Sequence, residues 1–207
     1  MKPALLVIAG PNGAGKTTVT VRLRQAHWSE GVEYLNPDDV AQGRFGNWNS
    51  PDAVLKAAAW TDARREDLLS ARAGIAFETV FSMPAKVDFL RRSKDAGYFI
   101  RVFFIGTTDP RINAARVAGR VMAGGHTVPI EKIISRYVRS MANLSAAVRL
   151  ADRVYIYDNS VDDVEARLCA RTQDGQLRKI YGPLPEWVSD AVGSLAHHSQ
   201  FIDMRAA

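Results

Sequence analysis

A chain of 207 residues has room for one sizeable domain, and 47% hydrophobic with 24% charged residues is the balance of a globular enzyme. No apolar run approaches the ~18 residues of a bilayer span, and a lone cysteine, Cys169, excludes an internal disulfide. The net charge of +5 suits a site for anionic small molecules; with Lys and Arg scattered and not interleaved with aromatics, nucleic acid is the less expected partner.

After Met-Lys-Pro the chain enters an apolar run directly, Ala4-Leu5-Leu6-Val7-Ile8-Ala9. No leader peptide is therefore expected, and a reducing cytoplasm is the expected compartment, with no membrane partner. The run reads as a strand buried on both faces. Gly10-Pro11-Asn12-Gly13-Ala14-Gly15-Lys16-Thr17-Thr18 follows and fits G-x-x-x-x-G-K-[ST] at every fixed position. A helix is expected from Thr17 to Gln25. Strand, glycine-rich loop and helix N-terminus together make a phosphate site, in which backbone N–H groups converge on one anion. Lys16 supplies a charge for the β- and γ-phosphates, and the Thr17 hydroxyl can ligate Mg²⁺.

Val32-Glu33-Tyr34-Leu35 is a short strand leading into Asn36-Pro37-Asp38-Asp39. Ligands gather at the C-terminal ends of parallel strands, so Asp38 is the candidate general base. The competing use of Asp38 or Asp39 is to cap a helix from Val40 onward. Gly43 to Ser50 reads as a surface loop. Ser50-Pro51-Asp52 then starts a helix running to about Ala71. Trp48 and Trp60 are divided between pocket lining and plain packing. In the strand Gly74 to Ser82, Glu78 interrupts an apolar run and calls for a cation or a ligand.

A helix over 84–96 and the strand over 98–106 continue the alternation, which describes a parallel α/β sheet. Asp109-Pro110 starts a helix carrying Arg111, Arg116 and Arg120, the last two sharing a face. Gly124-Gly125-His126-Thr127-Val128-Pro129 reads as a hinge. A long helix follows, with Ile130, Ile133, Ile134, Tyr137, Met141, Leu144 and Val148 on one stripe and Arg136, Arg139 and Asn143 opposite. Two arginine-bearing helices at such a joint suggest a lid over about 110–150, with Arg120 and Arg136 neutralising charge on a transferred phosphoryl group. His126 reads as a lid-shaping or substrate-contacting residue. The last core strand, Ala151 to Tyr157, ends in Asp158-Asn159-Ser160, a polar turn suited to holding a nucleotide base. Residues 164–181 alternate about Asp174-Gly175 as a hairpin, Pro183-Leu184-Pro185 leads into a short helix, and His197-His198 are too few for a metal site.

These elements predict a P-loop NTPase fold of the nucleotide-kinase type: about five parallel strands flanked by helices, a helical lid and a small C-terminal hairpin and helix. The expected division is a core over 1–160 and an appendage over 161–207 packed on it. The chain lacks an LSGGQ-type signature, a strand ending in Asp-Glu and an Asn-Lys-x-Asp guanine motif. Asp after the second strand, Glu at the third and an arginine lid are instead the plan of a small-molecule kinase.

Over residues 3–160 the chain resembles short zeta-toxin-like proteins. The likeness rests on the glycine-rich loop, Asn36-Pro37-Asp38, Phe77-Glu78-Thr79-Val80-Phe81-Ser82, Gly124-Gly125-His126-x-Val128-Pro129, Arg136-Tyr137, Asn143-Leu144 and Asp158-Asn159-Ser160. It implies an enzyme that uses ATP and Mg²⁺ to phosphorylate the 3′-hydroxyl of the sugar in UDP-N-acetylglucosamine, and a toxin with an antitoxin partner. By that likeness Lys16 and Thr17 hold phosphate and magnesium, Asp38 is the base and Glu78 orients the sugar nucleotide. Arg120 and Arg136 are the lid arginines, Thr79, Arg116 and His126 join the acceptor site, and Asn159 joins the nucleotide site. Which of the three arginines meets the γ-phosphate stays open. Two alternatives remain: a regulatory ATPase that binds a macromolecule, and a kinase for nucleic-acid ends.

Overall fold

The computed structural model describes residues 2–24, 30–46, 50–122, 128–193 and 195. Trp48, the Gly124-Gly125-His126-Thr127 joint and His197-His198 lie outside them.

The first apolar run forms β1 (Ala4–Ala9), and every side chain from Leu5 to Ala9 is buried. The glycine-rich loop leads into α1 (Lys16–Arg24). β2 (Val32–Leu35), α2 (Pro37–Phe45), α3 (Pro51–Ser70) and β3 (Gly74–Thr79) come next. α4 (Pro84–Asp95) and β4 (Phe99–Gly106) complete the first half. The second half comprises α5 (Pro110–Met122), α6 (Ile130–Leu150), β5 (Arg153–Asp158), β6 (Arg167–Gln173), β7 (Gln176–Ile180) and α7 (Glu186–Gly193).

One sheet runs in the order β2-β3-β1-β4-β5-β6-β7. Its first five strands are parallel, as the βαβ alternation predicts. The β6–β7 hairpin pairs antiparallel onto β5 and extends the same sheet to seven strands. β1 lies between β3 and β4, and both of its faces are covered, Leu5, Val7 and Ala9 joining one core cluster and Ile8 another, which explains its unbroken apolar run. Leu5, Val7, Ile75, Phe77, Ile100, Val102, Phe104, Val154 and Ile156 join side chains of α3, α4, α6 and α7 in the larger core. Full burial of each large apolar side chain stabilises the fold by ~1.5–3 kcal/mol. Cys169 sits in this core, and burial pushes its thiol pKa up, as befits a packing residue.

Three local expectations need correction. Neither Asp38 nor Asp39 caps α2. Asn36 does, its Oδ1 accepting the Asp38 N–H at 2.9 Å, while Pro37 occupies the first turn. The residues expected as a loop from Gly43 are helical to Phe45, and Gly46 in a left-handed conformation (φ 71°) ends the helix. On α6 the buried face is Ile133, Tyr137, Ser140, Leu144, Ala147 and Val148, whereas Ile130 and Ile134 are exposed. The exposed pair lies in the first turns of α6, and further along the Tyr137 hydroxyl donates to the Thr107 carbonyl at 2.6 Å and pins the helix to the exit of β4. Trp60 packs against the core, and the Arg44 guanidinium lies 4.2 Å above its ring.

Candidate active site

The loop between β1 and α1 is held from outside by its carbonyls. Pro11 O accepts from Lys16 Nζ at 2.9 Å, and Asn12 O accepts from Asn113 Nδ2 at 2.6 Å. Gly13 O meets Arg116 Nη1 at 3.5 Å, and Ala14 O accepts from Asn159 Nδ2 at 2.8 Å. The three consecutive carbonyls of Asn12, Gly13 and Ala14 are thus held by side chains from outside the loop, while Pro11 O faces Lys16, and no hydrogen bond among the described residues engages the Gly13 or Gly15 N–H. Peptide groups with carbonyls fixed outward present their N–H groups inward, the arrangement that receives an anion. Two glycines permit the close approach. A Cβ on Gly13 (φ 74°) would stand 2.6 Å from the Asn113 carbonyl oxygen, and one on Gly15 (φ 87°) would run into the Asn159 amide.

Asn113 is a site-shaping residue that sequence reasoning missed. Fully buried on α5, it accepts from the Thr107 hydroxyl and donates to Asn12 O, tying the exit of β4 to the phosphate loop. Arg116 and Arg120 follow it on the same helix at three- and four-residue steps, so one face of α5 carries all three. Asn113→Leu should leave the Asn12 carbonyl and Thr107 hydroxyl without their partner, costing about 1–3 kcal/mol in denaturant unfolding. It should also weaken triphosphate binding in a nucleotide titration. Unchanged binding would mean that the loop holds its shape unaided.

At the mouth of the loop three groups converge. Lys16 is enclosed there, and burial pushes its pKa down to about 8; the Glu78 carboxylate opposes that shift and the Arg120 charge adds to it. Both Glu78 and Arg120 are therefore near enough for Lys16 to feel their charge. Glu78 is half-buried and accepts from the Tyr34 hydroxyl at 2.9 Å and the Thr17 hydroxyl at 3.5 Å. Where a cation or a ligand was expected, this carboxylate thus meets two protein hydroxyls, with the Lys16 charge close enough to act on it. Tyr34, on the neighbouring strand β2, was read from the sequence only as a strand residue.

The other expected residues distribute around this centre. Asp38 is exposed in the first turn of α2, beyond the C-terminal end of β2. Thr79 turns its hydroxyl to the Phe81 N–H at 3.0 Å and its carbonyl to the Gly10 N–H at 3.2 Å, so it shapes the β3 exit. Phe81 there is buried with φ 58°, a costly conformation for a bulky residue, and Asn143 Nδ2 holds its carbonyl at 2.8 Å. Arg120 is exposed on α5 and Arg136 half-buried on α6. Arg116 binds Asp162 at 2.7 Å and the Asn159 carbonyl at 2.8 Å, on the flank where α5 meets the turn after β5. Asn159 likewise acts on the loop through Ala14. His126 is among the residues not described.

Beside that flank lies an open cleft of about 690 Å³, lined by Gly15, Thr18, Leu23, Arg116, Tyr157 and Asn159 among others. The turn that walls it is fixed by Asp158, whose Oδ1 accepts from Ser160 at 2.6 Å and from the Trp187 indole at 3.1 Å. α7 therefore buttresses one side of the cleft. No described helix is long and apolar enough to cross a membrane.

Comparison with known proteins agrees with this geometry. The AvrRxo1-ORF1:ORF2 complex superposes with a TM-score of 0.64 at 17% identity, covering 95% of this chain and 66% of that one. The same complex solved with ATP gives 0.63 at 16%, covering 85% and 60%. The PezAT chromosomal toxin–antitoxin system of Streptococcus pneumoniae gives 0.57 at 18%, covering 80% and 70%. This chain thus spans about three fifths of the chain it matches in the AvrRxo1-ORF1:-ORF2 structure with ATP. An uncharacterized protein of Haemophilus influenzae is 22% identical over 137 residues, 66% of this chain and 94% of that protein. At such identities the structures establish a shared fold. The Zeta toxin family model matches residues 1–167, from β1 through the phosphate loop, both arginine-bearing helices and the turn after β5, and the chain belongs to the zeta toxin family.

Proposed function

We propose that this protein is a kinase that transfers the γ-phosphoryl group of ATP to a hydroxyl of a nucleotide sugar, UDP-N-acetylglucosamine or a close relative. In this reading it acts as a toxin restrained by an antitoxin protein. The observation that carries the proposal is the convergence of Lys16, Thr17 and Glu78 at the mouth of a loop whose Asn12, Gly13 and Ala14 carbonyls are tied outward.

The triphosphate sits on the free N–H groups of the loop, those of Gly13 and Gly15 among them, with Lys16 turned from the Pro11 carbonyl to the β- and γ-phosphates. The nucleoside takes the 690 Å³ cleft, where Arg116 and Asn159 hold the loop beside it. A hydroxyl and a carboxylate at 3.5 Å are hard oxygen donors that fit Mg²⁺, which otherwise takes its ligands from phosphate and water. When bound, the ion supplies positive charge to the β- and γ-oxygens. Glu78→Gln should leave the triphosphate cradle intact and raise the Mg²⁺ concentration for half-maximal turnover about tenfold. An unchanged magnesium dependence would remove Glu78 from the ion's surroundings.

Asp38 accepts the proton of the acceptor hydroxyl. That oxygen forms a bond to the γ-phosphorus as the bond to the β–γ bridging oxygen breaks, and ADP leaves with that electron pair. Arg120 and Arg136 meet the charge spreading over the transferred group, and His126 borders the acceptor.

The test is a product assay by mass spectrometry with ATP, Mg²⁺ and a panel of nucleotide sugars, nucleotides and simple alcohols. A nucleotide sugar one phosphoryl group heavier, absent with Asp38→Asn, is the expected result. ATP bound but no acceptor modified would instead favour a regulatory ATPase.

A further inference from the structure

Two residues past the end of β3, at Phe81, the chain turns from the strand towards α4. The φ of 58° there lies in the left-handed region, which a bulky residue keeps only when its surroundings hold it. The Phe81 ring is buried in the larger core. Its N–H donates to the Thr79 hydroxyl at 3.0 Å, and its carbonyl accepts from Asn143 Nδ2 at 2.8 Å. Among the described residues no backbone group meets either one. Two side chains therefore fix this turn, one from the strand itself and one from α6, 62 positions along the chain.

The turn bears on both parts of the triphosphate site. β1 and β3 pair with Ile8 opposite Glu78 and Ala9 opposite Thr79. The next rung is the Gly10 N–H donating to the Thr79 carbonyl at 3.2 Å, where the phosphate loop begins. That bond is at the long end of the ordinary range, and so is the 3.5 Å contact of Glu78 with the Thr17 hydroxyl. Neither has slack. A Phe81 relaxed to negative φ would rotate the peptides before it, drawing the Thr79 carbonyl from Gly10 and fraying the strand end that carries Glu78.

We propose that Asn143 is a positioning residue for the magnesium side of this site. Through Phe81 and Thr79 it holds Glu78 beside Thr17 and fixes the start of the phosphate loop. This rests on the reading of Thr17 and Glu78 as the ion's surroundings. Asn143 follows Arg136 by seven residues, close to two turns of α6, so the helix that carries this arginine also sets the carboxylate. The amide is half-buried and engaged inward. Tyr137 gives α6 a separate anchor at the Thr107 carbonyl, 2.6 Å away. From Thr107 the bonds run through Asn113 to Asn12 and not to Glu78. The two anchors thus stand at the exits of β3 and β4, on either side of β1, and serve different parts of the loop.

The test is calorimetric titration of the full chain with a non-hydrolysable ATP analogue, once with saturating Mg²⁺ and once with EDTA. The ratio of the two affinities measures what the ion contributes and needs no acceptor. In the parent Mg²⁺ should tighten binding, and Glu78→Gln should lower the ratio about tenfold. Asn143→Leu and Asn143→Asp keep the volume and lose the donated N–H. Each should lower the ratio about fivefold. Added to Glu78→Gln, neither should lower it further, because the group to be positioned is already gone. Tyr137→Phe removes the other anchor of α6 and should leave the ratio at the parental value, which separates positioning from a general loosening of the helix. Asn143 variants with the parental ratio, additive losses in the double variants, or an equal loss in Tyr137→Phe would overturn the proposal alone. A parent that gains nothing from Mg²⁺, or a gain untouched by Glu78→Gln, would overturn the reading of Glu78 and this proposal with it.

Discussion

Lys16→Met is expected to abolish most triphosphate binding while making the empty protein more stable at neutral pH. The first effect follows from removing a charge-assisted contact to the β- and γ-phosphates, worth about 100-fold in affinity. The second follows from the depressed pKa. Lys16 has its pKa at about 8 in the folded chain against an ordinary 10.5, chiefly because it is desolvated. Between those values the unfolded chain holds more protons than the folded one, so stability rises as pH climbs from about 8 to 10.5. Below pH 8 the cost of the enclosed charge is fully present. Methionine lacks that charge, so the thermal midpoint at pH 7 should rise by a few degrees, at ~2–4 °C per kcal/mol for a chain of this size. The variant should also lose this share of the alkaline gain. For the parent, nucleotide affinity should be greatest below pH 8 and decline above it as the amine deprotonates, a trend calorimetry can follow. A variant that binds ATP like the parent would remove Lys16 from the phosphate site.

Asp38→Asn should produce the converse pattern. The amide keeps the side chain's shape, and Asn36 still caps the helix that carries it. Binding of ATP and of acceptor should therefore stay within about twofold, while kcat falls about 1,000-fold, the scale of losing a general base. Single-turnover kinetics separate this loss from slow product release. An Asp38→Asn enzyme of parental kcat would move the base elsewhere, and a raised KM with intact kcat would make Asp38 a binding group.

What the sequence revealed was local. Strand, glycine-rich loop and helix are contiguous, so the phosphate site could be read from residues 4–24 alone, and the five parallel strands followed from their alternation with helices. What it hid depends on which strands become neighbours. Tyr34 reaches Glu78 because β2 and β3 pair, and Asn113 reaches Asn12 across 101 positions of chain. Asn159 was expected at the nucleotide, yet its amide is committed to the Ala14 carbonyl, a contact that only the placement of β5 beside β4 makes possible. On α6 the expected stripe held at Ile133, Tyr137, Leu144 and Val148 and failed at Ile130 and Ile134, which are exposed at the start of the helix. The cap of α2 belonged to Asn36, two residues before the carboxylate that attracted attention.

The most direct measurement is an isothermal titration of the purified chain with a non-hydrolysable ATP analogue in Mg²⁺, beside the Lys16→Met and Asn113→Leu variants. One molecule should bind per chain, with binding nearly lost in the first variant and weakened in the second. A folded parent that takes up no triphosphate would contradict the assignment of the loop, and with it the kinase.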